Sequence, residues 1–364
     1  MGMEVAPRKS EAMFLHRGGT PPPSSIRVAG HLVPVGSRLK YLGLTLDGRW
    51  SFERHFEDLA PRLERASMAL SRMLPNLRGP SRRVRRLLVG AVRSIALYGA
   101  PIWAADLTNS PKAMRICRAS ERRLAARVVR AYRTVSHRAA LVLAGIPPLA
   151  LAAAGYAESY RRLRRLRERG VAVTARAREV LRCQTRRSVL GSWQDQLQTD
   201  DPRNTSGRRV VGALGPRLSE WVDRGWGELS FRTTQVLAGH GCFGEYLCRI
   251  GKESGPRCHH CVADVDSADH TVMRCPAWSE FRRVLVRDIG EDLSGVVGAM
   301  LESERKWRAV ASFSEQEDRP RQRPLAIFTN SELRPWQSDE DGPHRQGQRI
   351  KEREHGNDPG YVYG

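Results

Sequence analysis

Lysine is almost missing from this chain. Of its 61 basic residues six are lysine, at positions 9, 40, 112, 252, 306 and 351, and the other 55 are arginine. Carboxylates are too few to balance them: 39 Asp and Glu leave a formal net charge of +22 over 364 residues. Such an excess is out of keeping with a soluble enzyme of small metabolites. It predicts a polyanionic partner, because the planar arginine fork fits phosphate bidentately and stacks on bases, and because released counterions drive such binding. GC-rich coding also favours arginine, but the clustering described below goes beyond it. No stretch of about 18 apolar residues occurs, which excludes a membrane-spanning helix. The N-terminus lacks the apolar core of a secretory signal. A nuclear or cytoplasmic location without a membrane partner is expected. The cysteines are seven, an odd number, with Cys117 and Cys183 isolated in arginine-rich stretches, so a disulfide framework is not expected.

Three of the cysteines do sit together. Cys258, Cys261 and Cys275 join His270 in the spacing C-x2-C-x8-H-x4-C, within PRCHHCVADVDSADHTVMRCPAW. Three thiolates and an imidazole suit a closed tetrahedral Zn²⁺ site of the structural kind, with no position open for a catalytic water. His259 and His260 are rival ligands. His270 is favoured because the 258–261 turn already supplies two sulfurs. Buried cysteines without a metal are the plainer reading, and a structural zinc in so basic a chain points towards nucleic acid.

Residues 1–50 read as short strands and turns. Ile26, Val28, Leu32, Val33 and Val35 flank Gly30 as in a β-hairpin, and Leu42 to Leu46 ends at Asp47-Gly48. From 51 to 250 the apolar spacing is helical. Phe52, Phe56, Leu59, Leu63, Leu70 and Leu74 mark one helix, broken at 76–80. A second begins near Ser81, with Val84, Leu87, Leu88, Ala91, Ile95 and Tyr98 as its buried stripe. Arg82, Arg83, Arg85, Arg86 and Arg93 take the other face. Further helices are expected over 110–133, 137–144 and 150–186. The last turns Arg161, Arg162, Arg164, Arg165, Arg167 and Arg169 outward beside Tyr160, Leu163 and Leu166. Like charges this dense repel along a helix. A polyanion relieves that repulsion, although a solvated face is the plainer alternative. Residues 199–216 read as a loop, followed by helices at 217–225, 230–239, from Trp278 through Leu285, and at 293–314. Beyond 315 the chain is polar, of mixed charge, and expected to be disordered.

Taken in order, three segments resemble the C-terminal part of the Pol protein of non-LTR (LINE-like) retrotransposons, in particular the type-1 insect elements that insert into ribosomal RNA genes. GMEVAPRKSEAMF is similar to the segment after the catalytic palm motif, with Lys9-Ser10-Glu11 where Lys-Thr-Glu is usual. Lys40 to Asp47, KYLGLTLD, resembles the primer-grip hairpin that enters the thumb. LAGHGCFGEYLCRI, the C-x2-C-x8-H-x4-C element and CPAW resemble that group's C-terminal zinc region.

The resemblance implies a mainly α fold with a short β-hairpin region at the N-terminus as a palm remnant. Residues 1–50 would end the palm and form the primer grip, at Tyr41, Leu42 and Gly43. A helical thumb would follow over 51–145, an Arg-rich helical connector over 146–250, a CCHC zinc module over 251–290, a C-terminal helix over 291–315 and a disordered tail over 316–364. The function implied is that of an RNA-directed DNA polymerase working by target-primed reverse transcription. Its partners would be element RNA, target DNA or an RNA/DNA hybrid. Arg82, Arg83, Arg85, Arg86, Arg161, Arg162, Arg164 and Arg165 are the expected phosphate contacts, with Arg257 beside the zinc and Trp278 either stacking on a base or in the core. Mg²⁺ would be needed only in the complete parent enzyme, whose palm holds it on a Phe/Tyr-Ala-Asp-Asp turn. No such turn occurs here: Ala104-Ala105-Asp106 and Ala263-Asp264-Val265-Asp266 offer no adjacent aspartates. The endonuclease of that family is absent as well. The chain therefore reads as a fragment or 5′-truncated copy that does not polymerise DNA alone and has no catalytic residue of its own; the alternative reading is a stand-alone zinc-dependent nucleic-acid-binding protein derived from a retroelement.

Overall fold

The computed structural model describes residues 5–316 apart from 17, 20, 21, 78 and 200–204. The tail expected to be disordered lies outside the described residues, except for Gln316.

Two hairpins open the chain. β1 (Ala12–Met13), β2 (Ser25–Val28) and β3 (His31–Gly36) form a sheet in the order β1-β3-β2, β2 antiparallel to β3 and β1 parallel to it. The second hairpin pairs β4 (Arg38–Tyr41) with β5 (Leu44–Asp47). Each turns on two residues of positive φ, Ala29-Gly30 at 46° and 80° and Leu42-Gly43 at 47° and 83°, the type I′ geometry that follows strand twist. Asp47 then redirects the chain, its carboxylate accepting the backbone N–H groups of Arg49, Ser51 and Phe52.

Helices make up the rest: α1 (Glu53–Met73), α2 (Arg82–Ala96), α3 (Ala100–Asn109), α4 (Pro111–Val128), α5 (His137–Ala144), α6 (Leu149–Glu168) and α7 (Ala175–Thr199). They continue as α8 (Arg208–Leu214), α9 (Leu218–Asp223), α10 (Phe231–Ala238), α11 (Gly244–Arg249), α12 (Ser279–Ile289), α13 (Val296–Glu302) and α14 (Glu304–Gln316). The apolar stripe of α1 lands where its spacing predicts, with Phe56, Leu59 and Leu63 buried and Phe56 edge-on to Trp103 at 5.1 Å. α5 lies at the centre. Ser136 caps its start by accepting from the Ala139 N–H, Gly145 closes it in the left-handed region, and every residue from Ala139 to Ala144 is buried. At about 1.5–3 kcal/mol for each large apolar side chain, Leu141, Val142 and Leu143 are a major source of stability. α7 closes on α6 at Gly155, where a Cβ would stand 2.7 Å from Val189.

Several elements differ from expectation. The long helix expected over 150–186 is broken at Gly170, which has φ of 69° and ends α6 before β-branched Val171 and Val173. The loop expected at 199–216 contains α8, whose Val210 and Leu214 are buried; its flanking glycines hide the short pattern. The helix expected over 110–133 stops at Val128, and Arg130 takes a positive φ of 58°. α3 was not foreseen as a separate helix, and the last helix divides where Ser303 turns extended.

The largest correction concerns α2. The stripe expected to be buried is largely exposed at Val84, Leu87, Ile95 and Tyr98, while Arg85, Val89, Val92 and Ala96 face inward. Arginines invert the helix by serving as donors to chain ends. Arg85 bonds the carbonyls of Pro75, Pro80 and Arg127, Arg86 those of Ala144 and Gly145, and Arg93 that of Pro147 together with the Glu121 carboxylate. The last carbonyls of α4 and α5 lack partners within their own helices, and these guanidiniums supply them. No single helix among the described residues is long and apolar enough to cross a membrane.

Candidate metal centre and arginine surface

A tight turn and a wide one bring the four predicted ligands together. On the first, Cys258 N–H bonds the Ala263 carbonyl, while the His260 and Ala263 N–H groups point at the sulfurs of Cys258 and Cys261, each at 3.5 Å. On the second, His270 and Cys275 flank a π-helical turn, His270–Arg274, closed by the Cys275 N–H on the His270 carbonyl at 2.8 Å. Five residues of α-helix would leave those two side chains about 140° apart. The wider i to i+5 turn swings them to one side, a use of π-turns met at functional sites.

One donor atom from each of Cys258, Cys261, His270 and Cys275 lies within 4.8 Å of the others. Cys258 Sγ is 3.9 Å from Cys275 Sγ, and Cys261 Sγ is 3.3 Å from His270 Nε2. Zn–S bonds of 2.3 Å in a tetrahedron place sulfurs about 3.8 Å apart, so size and donor chemistry are both compatible with zinc. Burial pushes the Cys258 thiol up to about 12 and raises Cys275 as well. Buried thiols so reluctant to ionise are poor nucleophiles, whereas a bound cation would stabilise their thiolates. The rival histidines are engaged elsewhere: His259 bonds Glu253 at 2.8 Å and His260 lies edge-on to Trp278 at 6.1 Å.

Two residues that motif reading missed hold this element. Asp266, 1% exposed, accepts the Gly244 N–H on its carboxylate and the Glu245 N–H on its carbonyl, joining the metal loop to α11. Arg282 on α12 donates to the carbonyls of Thr271, Val272 and Cys275, and so clamps the π-turn. Neither carries a sequence signal beyond being a charged residue near a cysteine motif. Trp278 is wholly buried and touches Phe281 and Phe313, so it is a core residue and not a base-stacking platform.

The predicted arginines separate into two kinds. Arg85 has no exposed surface and serves three carbonyls, so it is a correction: a core donor and not a phosphate contact. Arg86 is half-buried and Arg82 partly so, while Arg83 is exposed. On α6, Arg161, Arg164 and Arg165 are exposed and Arg162 is half-exposed; Glu158 pairs with Arg161 and Arg162, and Glu168 with Arg164. Arg257, 82% exposed, stands 3.7 Å from Asp264 near the metal loop. The hairpin tip projects outward. Tyr41 and Leu42 are exposed, the Leu42 carbonyl accepts from Tyr98 OH at 2.8 Å, and Gly43 leaves room for that ring.

A mainly helical, arginine-rich chain with a Cys₃His cluster now has relatives to be set beside. It is homologous to proteins of type-1 (R1) retrotransposable elements, which supports a retroelement origin. It is 27% identical over 315 residues to the 115 kDa protein of the element R1DM of Drosophila melanogaster, covering 84% of this chain and 30% of that protein. Against the retrovirus-related Pol polyprotein from element R1 4 of Nasonia vitripennis it is 24% identical over 270 residues, 74% of this chain and 68% of the relative. The corresponding polyprotein from R1 3 of the same wasp is 25% identical over 344 residues, with 82% of each covered. The chain thus spans under a third of the length of the Drosophila relative. No family model matches it, and no solved structure does.

Proposed function

We propose that this chain acts as the C-terminal part of an R1-type Pol protein, an RNA-directed DNA polymerase of target-primed reverse transcription, and that its role there is to grip nucleic acid. Its similarity to two R1 Pol polyproteins over most of its length carries the reading. In it, the hairpin tip at Tyr41, Leu42 and Gly43 sits beside the primer terminus, and α1 to α5 act as a thumb. Arg83 and the exposed arginines of α6 hold the backbone of element RNA, target DNA or their hybrid. Such contacts position a strand without reading its bases. Cys258, Cys261, His270 and Cys275 hold a structural Zn²⁺, which supplies cross-linking and no open coordination position. The Mg²⁺-binding carboxylates belong to another part of the complete protein, and this chain contributes no catalytic residue.

Retention of an RNA/DNA hybrid by the zinc-loaded chain, followed from about 50 to 200 mM salt, tests the reading. Each phosphate neutralised contributes about 0.9 to the log–log slope, so a slope of about −4 or steeper is expected. A slope near zero contradicts it.

A further inference from the structure

Arg224, which no motif singles out, is a buried guanidinium with donors to spare. It is 8% exposed, and its guanidinium carbon lies 3.7 Å from the ring centroid of Trp221 and 4.8 Å from that of Trp307. Nη1 donates to the Trp221 carbonyl. Nε and Nη2 are buried and have no hydrogen-bond partner. Burial first, and then the nearby charges of Arg82 and Arg86, disfavour its cation. A guanidinium keeps its proton in a protein; the two tryptophan faces and one carbonyl offset part of the burial penalty, and an anion at the two unpartnered nitrogens would offset more.

The start of α2 supplies a second, independent feature. Arg82 opens α2 and Arg86 follows one turn later on the same side; the helix has 15 residues, its N-cap, Ser81, makes no side-chain cap and its first turn holds no acid. Cations at the positive end of a helix dipole reverse the favourable arrangement. One carboxylate serves this end: Glu228 accepts the Arg82 backbone N–H at 3.1 Å and shares the same oxygen with Arg130. The cluster is held from several sides. Arg86 is tied to the end of α5 through the Ala144 carbonyl, Trp221 to α5 through that of Leu143, and Trp307 on α14 to that of Glu228.

We propose that the first turn of α2, with Arg82, Arg86 and the buried Arg224, is a phosphate-binding site that seats one phosphate of a polynucleotide strand. The proposal rests on the nucleic-acid reading above and deepens it, replacing a stripe of surface charge with one built site. A phosphate oxyanion suits both features at once, since a helix start without a side-chain cap and the unpartnered donors of Arg224 are what such an anion seeks.

Two measurements on the zinc-loaded chain test it: thermal unfolding with inorganic phosphate against chloride of equal ionic strength, and hybrid binding over salt. The variants are Arg224→Met, Arg82→Gln and, as a control on an exposed face of α14, Arg305→Gln. Phosphate is expected to raise the unfolding temperature of the wild type and the control. Arg224→Met should unfold at a higher temperature than wild type without phosphate and lose the phosphate-dependent gain. Arg82→Gln, which keeps the test alive if the first variant misfolds, should lose most of that gain and lower the salt slope by about one. The site is overturned if phosphate protects no better than chloride, or protects both variants as well as it does wild type. Hybrid binding that is strong but unchanged in both variants also overturns it, while leaving the proposed function standing. Phosphate protection lost in the variants, without any hybrid binding, keeps the site, reassigns its ligand to free phosphate and removes the proposed function.

Discussion

Arg85 donates to three backbone carbonyls from inside the protein. Arg85→Met keeps the length of the side chain and leaves those carbonyls without a donor. At about 1–3 kcal/mol for each buried group left unsatisfied, offset by removal of a buried charge, a loss of about 2–4 kcal/mol is expected. Chemical denaturation measures it, and a change below about 1 kcal/mol would show that water or neighbouring groups replace the guanidinium. Arg85 also marks the limit of reading residues from spacing. Its neighbours Arg82, Arg83 and Arg86 make it look like one more surface charge, and its acceptor on Arg127 lies 42 residues away. The Cys₃His cluster was legible for the opposite reason: thiols and an imidazole at short spacing carry their chemistry locally. Asp266 and Arg282, which support them through backbone groups, carry no such mark.

At the scale of elements, local signals succeeded where the chain closes on itself. The first hairpin follows from alternation and α1 and α5 from helical spacing; the second was expected from the resemblance of Lys40–Asp47, and it turns at Leu42-Gly43, inside the run that spacing alone ends at Asp47-Gly48. α2 failed because it has two stripes at helical spacing, one apolar and one basic, and periodicity alone cannot say which faces in. The carbonyl ends of α4 and α5 decided it. α6 presents its arginines outward as expected, and Glu158 and Glu168 offset only some of them. Replacing Arg161, Arg164 and Arg165 with glutamine should leave thermal stability nearly unchanged, since exposed side chains of this kind contribute within about 0.5 kcal/mol each. Hybrid binding should weaken and its salt slope flatten by about two to three. An unchanged slope would make that face a solvated one.

For the whole molecule, the metal loop and the charge make separate demands. The loop packs through Trp278 against α12 and α14, and its four ligands come from two turns with little apolar core of their own. Zinc binding is worth about 10–16 kcal/mol in finger peptides, so a chelator should unfold this element and expose Trp278, read as a red-shifted tryptophan emission and a lower unfolding temperature. Emission and melting that are indifferent to chelation, with no zinc found by metal analysis, would make the cluster a set of buried thiols. The central proposal is that this basic chain, homologous to R1 proteins, grips nucleic acid along α2, α6 and the Tyr41–Gly43 tip. Ultraviolet cross-linking of a bound RNA/DNA hybrid, followed by mapping of the linked peptides, tests it most directly. Cross-links in the peptides containing Tyr41, Arg82–Arg86 and Tyr160–Arg165 are predicted; cross-links confined to other surfaces, or none at low salt, would contradict it.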